Sequence, residues 1–263
     1  MGILNVTPDS FSDGGESFDL NIALLQAQSL IEQGAQVIDL GAQSTRPGAE
    51  EVGPTVEQER LLPVLETIRL KYPEILISVD TFHSEVAQAA LEKGANWIND
   101  ISGGRRDSEL LRVVASSGCF YILTHSRGYS QNMNRLAKYC NTSLEVKQEL
   151  LQATERAIRL GVSPEKIIWD PGLGFAKSTS QVICVLRCLP LLKSEGFPIL
   201  IGPSRKRFIG EITEEYESKA RMWGTAGVVS CAISLGADIV RVHDVEPMIK
   251  IIRLSDILCR SLA

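Results

Sequence analysis

One unit recurs along this chain of 263 residues: a helical stretch, a glycine, a short apolar strand and then a polar residue. Leu20 to Gln33 has apolar residues at helical spacing and stops at Gly34, ahead of the strand Val37–Leu40. Glu92-Lys-Gly-Ala95 precedes Trp97–Asn99, Ser117-Gly-Cys119 precedes Phe120–Leu123, Leu160-Gly-Val162 precedes Ile167–Trp169, and Leu235-Gly-Ala237 precedes Ile239–Val242. Glycine just past a helix end takes the left-handed C-cap conformation, so each of these marks a helix stop. Gly2–Val6, Leu76–Val79 and Ile199–Ile201 complete eight strands. Between them the spacing predicts further helices over Ser84–Lys93, Ser108–Ser117, Ser143–Leu160, Gln181–Ser194, Ala220–Leu235 and Glu246–Cys259. Another, with Leu61, Leu62, Leu65 and Ile68 on one face, follows Thr55-Val-Glu-Gln58, which reads as a capping box.

Strands this short, and apolar on both faces, need helices around them. Alternation repeated eight times closes into an α/β fold of the (β/α)8 TIM-barrel type, here a single domain over residues 1–263. A doubly wound open sheet is the alternative, but no Gly-x-Gly-x-x-Gly follows the first strand.

Composition narrows the function classes. The chain is 44% apolar and 22% charged, as ordinary globular domains are, and its net charge of −5 argues against wholesale binding to nucleic acid or acidic membrane. No apolar run reaches the length of about 18 residues that a membrane span needs. No basic segment leads into an apolar one at the start, so no signal peptide is visible. The first strand begins at Met1, which suits a segment of a longer polypeptide. Six cysteines form no Cys-x-x-Cys pair, and Cys184 and Cys188 lack a third ligand for zinc; they read as buried thiols of an intracellular protein, cytoplasmic or mitochondrial.

In a barrel the active site lies at the carboxyl ends of the strands. Those ends carry Asn5, Asp39, Asp80, Asn99 with Asp100, His125, Asp170, Ser204 with Arg205 and Lys206, and Arg241 with His243 and Asp244. Any one of them could serve solubility; all eight ends together ask for a polar ligand. Gly202-Pro-Ser-Arg-Lys-Arg207 and Arg241-Val-His243 cluster five basic groups where barrels hold phosphate, and Thr45-Arg46 could add a contact from the second loop. Asp80, Asn99 and Asp170 can accept and donate along one plane, as a flat heterocycle with a guanidine-like edge requires. The opening loop, Thr7 to Gly15, holds hydroxyls, Asp9, Asp13 and Phe11, more chemistry than a connector needs.

Seven motifs, in order, give the chain a family resemblance. They are Met1 to Gly15, Ser44-Thr-Arg-Pro-Gly48, Ser78-Val-Asp-Thr81, Asn99-Asp-Ile-Ser-Gly103, Asp170-Pro-Gly-Leu-Gly-Phe-Ala-Lys177, Ser204-Arg-Lys-Arg-Phe-Ile-Gly210 and Arg241-Val-His-Asp244. Together they resemble dihydropteroate synthase, which condenses 6-hydroxymethyl-7,8-dihydropterin diphosphate with 4-aminobenzoate and releases pyrophosphate. The resemblance implies that Asp80, Asn99, Asp170 and Lys206 hold the pterin and that Phe175 and Lys177 lie over its ring. It implies Asn5 as a Mg2+ ligand beside the diphosphate, with Arg241, His243 and Thr45 or Arg46 on phosphate oxygens. Phe11, Asp13, Pro47, Lys206 and the neighbouring Arg207 would shape the aminobenzoate site, where sulfonamides compete. Two departures stand out: Leu123-Thr-His-Ser-Arg127 replaces the Met-His-Met of bacterial members, and Arg207 replaces a common serine. Both look more like fungal members, in which the synthase is one part of a multifunctional enzyme.

The implied course is dissociative: pyrophosphate leaves, the dihydropterin ring delocalises a methylene cation, and the aromatic amine attacks. Asp13 is the candidate for steadying that cation, with Lys206 and Asp80 as its catalytic company. No enzyme nucleophile is called for, and none stands beside a base. The rival readings are a methyltetrahydrofolate-binding barrel that transfers methyl to a corrinoid, and a non-catalytic scaffold barrel. The helix Ala220–Leu235, apolar and rich in small residues, is either the face of a homodimer or simply well buried.

Overall fold

The computed structural model describes residues 1–7, 16–43 and 51–260. Among these, eight strands alternate with helices: β1 (Gly2–Asn5), α1 (Glu16–Glu32), β2 (Val37–Gly41), α2 (Pro54–Lys71), β3 (Leu76–Asp80), α3 (Ser84–Glu92), β4 (Trp97–Asp100), α4 (Leu110–Ser117), β5 (Phe120–Thr124), α5 (Thr142–Arg159), β6 (Ile167–Asp170), α6 (Thr179–Arg187), α7 (Leu189–Lys193), β7 (Leu200–Ile201), α8 (Arg207–Thr213), α9 (Met222–Ser234), β8 (Ile239–Val240) and α10 (Val245–Cys259). Strands β1 to β6 pair in sequence order, all parallel, and β7 pairs with β8. Isolated bridges Trp169↔Ile199 and Gly2↔Val242 join the two sheets, and Val242 N–H donates to the Met1 carbonyl at 3.0 Å. The barrel is thereby closed, as the eightfold pattern predicts.

Strand side chains alternate, so each strand has an inward and an outward set. Outward residues such as Leu40, Val79, Tyr121 and Trp169 pack beneath the helices in the main core. Inward, Ile122, Ile168 and Leu200 with Met1, Trp97, Phe120 and Ile239 form a separate apolar plug in the lower barrel. Above it the inward positions turn polar. Register places Asn5 opposite Gly41, Asp39 opposite Ser78, Asp80 opposite Asn99 and Thr124 opposite Asp170.

Local details correct three expectations. Thr55 makes no capping box: α2 opens at Pro54 with Gly53 as N-cap and no side-chain cap, because proline at the first helical position spends no N–H. A capping box does form at α6, where Ser178 and Gln181 bond reciprocally. The helix expected over Gln181–Ser194 is two, broken near Cys188, with proline in the first turn of α7. Among the cysteines, Cys140, Cys231 and Cys259 are exposed rather than buried, and all six are unbridged.

Candidate active site

Arg241 organises the rim. Its guanidinium reaches inward from the end of β8, with Nε 2.6 Å from Asp39 Oδ2 and Nη2 2.8 Å from Asp80 Oδ2. Asn99 Nδ2 donates to the same Asp39 oxygen at 3.2 Å. Burial pushes Asp80 up to about 7 against the pull of Arg241, while its two carboxylate neighbours hold Arg241 firmly cationic. Gly41 leaves a gap in this layer, since a Cβ there would stand 3.6 Å from Asn5 Oδ1 and 3.6 Å from Asp80 Cβ. Asn5 and Asp80 therefore face each other across an empty position.

On the opposite wall, Asp170 accepts the Gly172 N–H at 2.7 Å, and burial raises its carboxyl despite Lys206, Arg241 and Lys177. Lys206 places its ammonium 4.3 Å from the centre of the Phe175 ring. Burial, with Arg241 nearby, brings Lys206 down to about 8. Four inward polar atoms have no hydrogen-bond partner: Asp39 Oδ1, Ser78 Oγ, Asn99 Oδ1 and Thr124 Oγ1. Buried polar groups are rarely left unmet, so a barrel interior lined with them is built for a polar occupant.

The anion side is narrower than its sequence suggests. Ser204 Oγ accepts from His243 N–H at 3.1 Å and lies 2.9 Å from His243 Nδ1, a contact in which either atom can donate. Burial, with Arg205 and Arg241, holds the imidazole down to about 4, so His243 is neutral at physiological pH and carries a single ring N–H. Arg205 is spent on Asp244, with Nε 2.9 Å from Oδ2. Arg207, first residue of α8, turns outward to Glu211 at 3.1 Å with its side chain 70% exposed, and is not brought to the pocket as expected.

Lys177 also departs from expectation. Its ammonium sits 2.7 Å from His125 Nδ1 and 3.1 Å from the carbonyls of Gly172 and Phe175, so it ties the loop after β6 to the end of β5 instead of lying over a ring. His125 in turn meets Glu149 of α5 through Nε2 at 3.0 Å, and burial keeps the imidazole down to about 3. Phe175 does line a cleft with Phe82, Ile101, Ser126 and Met133, which supplies apolar surface where Ser126 replaces methionine. Phe11, Asp13, Thr45, Arg46 and Pro47 lie outside the described residues. Asp39 was visible as a charge in an apolar strand, but sequence alone assigned it no role; the Lys177–His125–Glu149 chain carried no sequence signal.

Behind Asp80, Glu57 of α2 is 1% exposed, neither carboxylate oxygen has a hydrogen-bond partner, and His83 Nε2 stands 3.8 Å away. Burial pushes its carboxyl up to about 7. A raised carboxyl binds its proton more tightly in the folded chain, so its contribution is favourable below the unfolded value and is lost as pH rises to about 7, a loss of about 3 kcal/mol. Glu57→Gln should raise the melting temperature by several degrees at pH 8 and leave it unchanged at pH 4. An equal gain at both pH values in thermal scans would refute the buried-charge account.

Known proteins resemble the chain throughout. A family model described as pterin binding enzyme matches residues 1–243. The dihydropteroate synthase of Synechocystis is 49% identical over 99% of this chain and 90% of its own length. A folic acid synthesis protein of Pneumocystis carinii is 44% identical over the whole chain, which spans only 36% of that relative. Among solved structures, a dihydropteroate synthase of Clostridium difficile, crystallised with pteroic acid, superposes with a TM-score of 0.94 at 40% identity, over 99% of this chain and 96% of the other. The Xanthomonas albilineans synthase with 4-aminobenzoic acid gives 0.93 at 36% identity, over 100% and 93% of the two chains. The Yersinia pestis synthase with a sulfonamide drug gives 0.90 at 34%, over 97% and 92%. No helix among the described residues is long and apolar enough to cross a membrane. With its site at the carboxyl rim and its similarity running end to end, the chain belongs to the pterin-binding enzymes and, among them, to the dihydropteroate synthases.

Proposed function

We propose that the rim described above performs the synthase reaction with Asp80, Asn99, Asp170 and Lys206 on the pterin and with Arg241 and His243 on the diphosphate. The observation that carries this reading is the set of four unpartnered inward atoms, on Asp39, Ser78, Asn99 and Thr124, with Asn99 opposite Asp80 and Thr124 opposite Asp170 in register. Asp170 and the Asn99 carbonyl suit the N–H and amino groups of a pterin edge, and Lys206 suits its oxygen and nitrogen acceptors. Phe175 gives the ring an apolar face.

Asn5 fits a magnesium site. It offers one neutral oxygen facing the gap at Gly41, the kind of hard donor Mg2+ takes alongside water and phosphate oxygens. Mg2+, when bound, would neutralise charge on the leaving diphosphate. Arg241, with the neutral imidazole of His243 beside it, stabilises the same developing charge. As the C–O bond breaks, its electron pair departs with pyrophosphate and the dihydropterin ring takes up the positive charge. The amine of 4-aminobenzoate then bonds to the methylene carbon and gives its proton to water or pyrophosphate. Asp13 would steady the cation, with Phe11 and Pro47 beside the incoming amine and Thr45 and Arg46 on phosphate. Sulfonamides would occupy the aminobenzoate place. The protein works inside the cell, in cytoplasm or mitochondrion, as a homodimer through the outer face of α9, where Trp223 is 72% exposed.

Pyrophosphate release assayed with and without 4-aminobenzoate tests the reading. Release that depends on the amine supports it, whereas a scaffold or a methyl-transferring barrel gives none. The state of Lys206 adds a pH signature. With burial bringing its ammonium down to about 8, kcat/KM for the pterin diphosphate should fall about fivefold from pH 8 to 9 as the charge is lost. In Lys206→Arg, which stays charged, that descending limb should vanish; its persistence would assign the limb to another group.

A further inference from the structure

We propose that Asp39 is a positioning residue that fixes which way the Asn99 amide faces, so that the ring pocket presents an acceptor, never a donor, at that point. The inference rests on the reading of Asn99 as a ring contact. Asp39 is wholly buried on the inward face of β2, one layer below the gap at Gly41. Its Oδ2 receives Arg241 Nε at 2.6 Å and Asn99 Nδ2 at 3.2 Å. A carboxylate paired with a guanidinium can only accept, so whatever part of Asn99 faces it must donate. The amide nitrogen is thereby turned toward Asp39, and Oδ1 is left buried and unpartnered. Flipping the amide would set two oxygens against each other and leave the nitrogen unmet, which costs more than one ordinary hydrogen bond. Arg241 keeps the carboxylate itself from turning, because Asp80 anchors the guanidinium from its other side.

A pterin edge that offers N–H or NH2 is rewarded by this arrangement, and an edge offering a bare nitrogen is refused. Selectivity of this kind comes from buried polar groups that only the right ligand satisfies. In this scheme Asp39 acts through Asn99, whatever its own unpartnered Oδ1 meets.

The test is calorimetric binding of 6-hydroxymethyl-7,8-dihydropterin, with inorganic pyrophosphate titrated separately to follow the Arg241 arm. Asp39→Asn should weaken the pterin about tenfold, since the amide of Asn99 is then free to turn. Adding Asn99→Asp, which presents oxygen whichever way it turns, should return pterin affinity to within about threefold of the parent while pyrophosphate affinity stays at the single variant's level. A double variant as weak as or weaker than Asp39→Asn overturns the proposal. Asn99→Ala with undiminished pterin affinity would instead remove the reading beneath it. Independently of any variant, the Asn99 side-chain amide protons of the unliganded parent should resist exchange in nuclear magnetic resonance spectra; free exchange would also overturn the proposal.

Discussion

Arg241→Met is expected to abolish measurable turnover and to lower the melting temperature by about 10 °C. Both effects come from one geometry. The guanidinium is the shared partner of Asp39, which is wholly buried, and of Asp80, whose side chain is 10% exposed. Removing it leaves two carboxylates close together without a cation, and breaking a buried pair by deleting one member costs about 3–5 kcal/mol. The catalytic loss has a separate origin, since methionine offers nothing to a departing diphosphate. Arg241→Lys should recover little, because a single ammonium cannot match two carboxylates in fork geometry. Converting Asp39 and Asp80 to asparagine in the Arg241→Met chain should recover much of the melting temperature and none of the turnover. Thermal scans alongside pyrophosphate release separate the two; an unshifted melting temperature in Arg241→Met would show that the pairs contribute no stability.

Gly172→Ala should cut kcat/KM for the pterin diphosphate by about a hundredfold or more. A methyl at Gly172 would stand 1.9 Å from the His125 carbonyl oxygen, and its φ of +67° disfavours any side chain. The carbonyl belongs to backbone that also receives the Lys177 ammonium at 3.4 Å, so it has little room to yield. What moves instead is the loop from Asp170 to Lys177, carrying the Asp170 carboxylate and the Phe175 ring with it. Gly118 is the matched control: its φ is +65°, yet a Cβ there meets nothing within 4 Å. Gly118→Ala should cost about 1 kcal/mol of stability and no activity. Equal activity in the two variants would mean that the loop after β6 does not position the ring.

The barrel was legible because its signals are local. Gly34, Gly94, Gly118, Gly161 and Gly236 all adopt the positive φ that marks a helix stop. The polar strand ends were legible for the same reason, and Asn5, Asp80, Asn99, Asp170, Lys206, Arg241 and His243 do gather on one rim. What sequence could not reveal is which way a side chain on a loop turns. Lys177 sits in a motif that resembles a ring-covering segment, yet a nearby imidazole and two carbonyls capture its ammonium. Arg205 and Arg207 add charge to a basic run, yet each has an acid within reach on a neighbouring turn or helix. Asp39 shows the converse: its importance depends on a guanidinium 202 residues away in the chain.

The two seams of the barrel carry a consequence for how products leave. Six staves are laced by continuous ladders, whereas β7 and β8, two residues each, have one isolated backbone bridge on either side, with Arg241 tied across to Asp39 and Asp80. Ser204, Arg241 and His243 stand on that lightly laced quarter, while Asp80, Asn99 and Asp170 stand on the firmly laced arc. Breathing of the quarter would let a spent pyrophosphate escape sideways without unseating the newly formed conjugate.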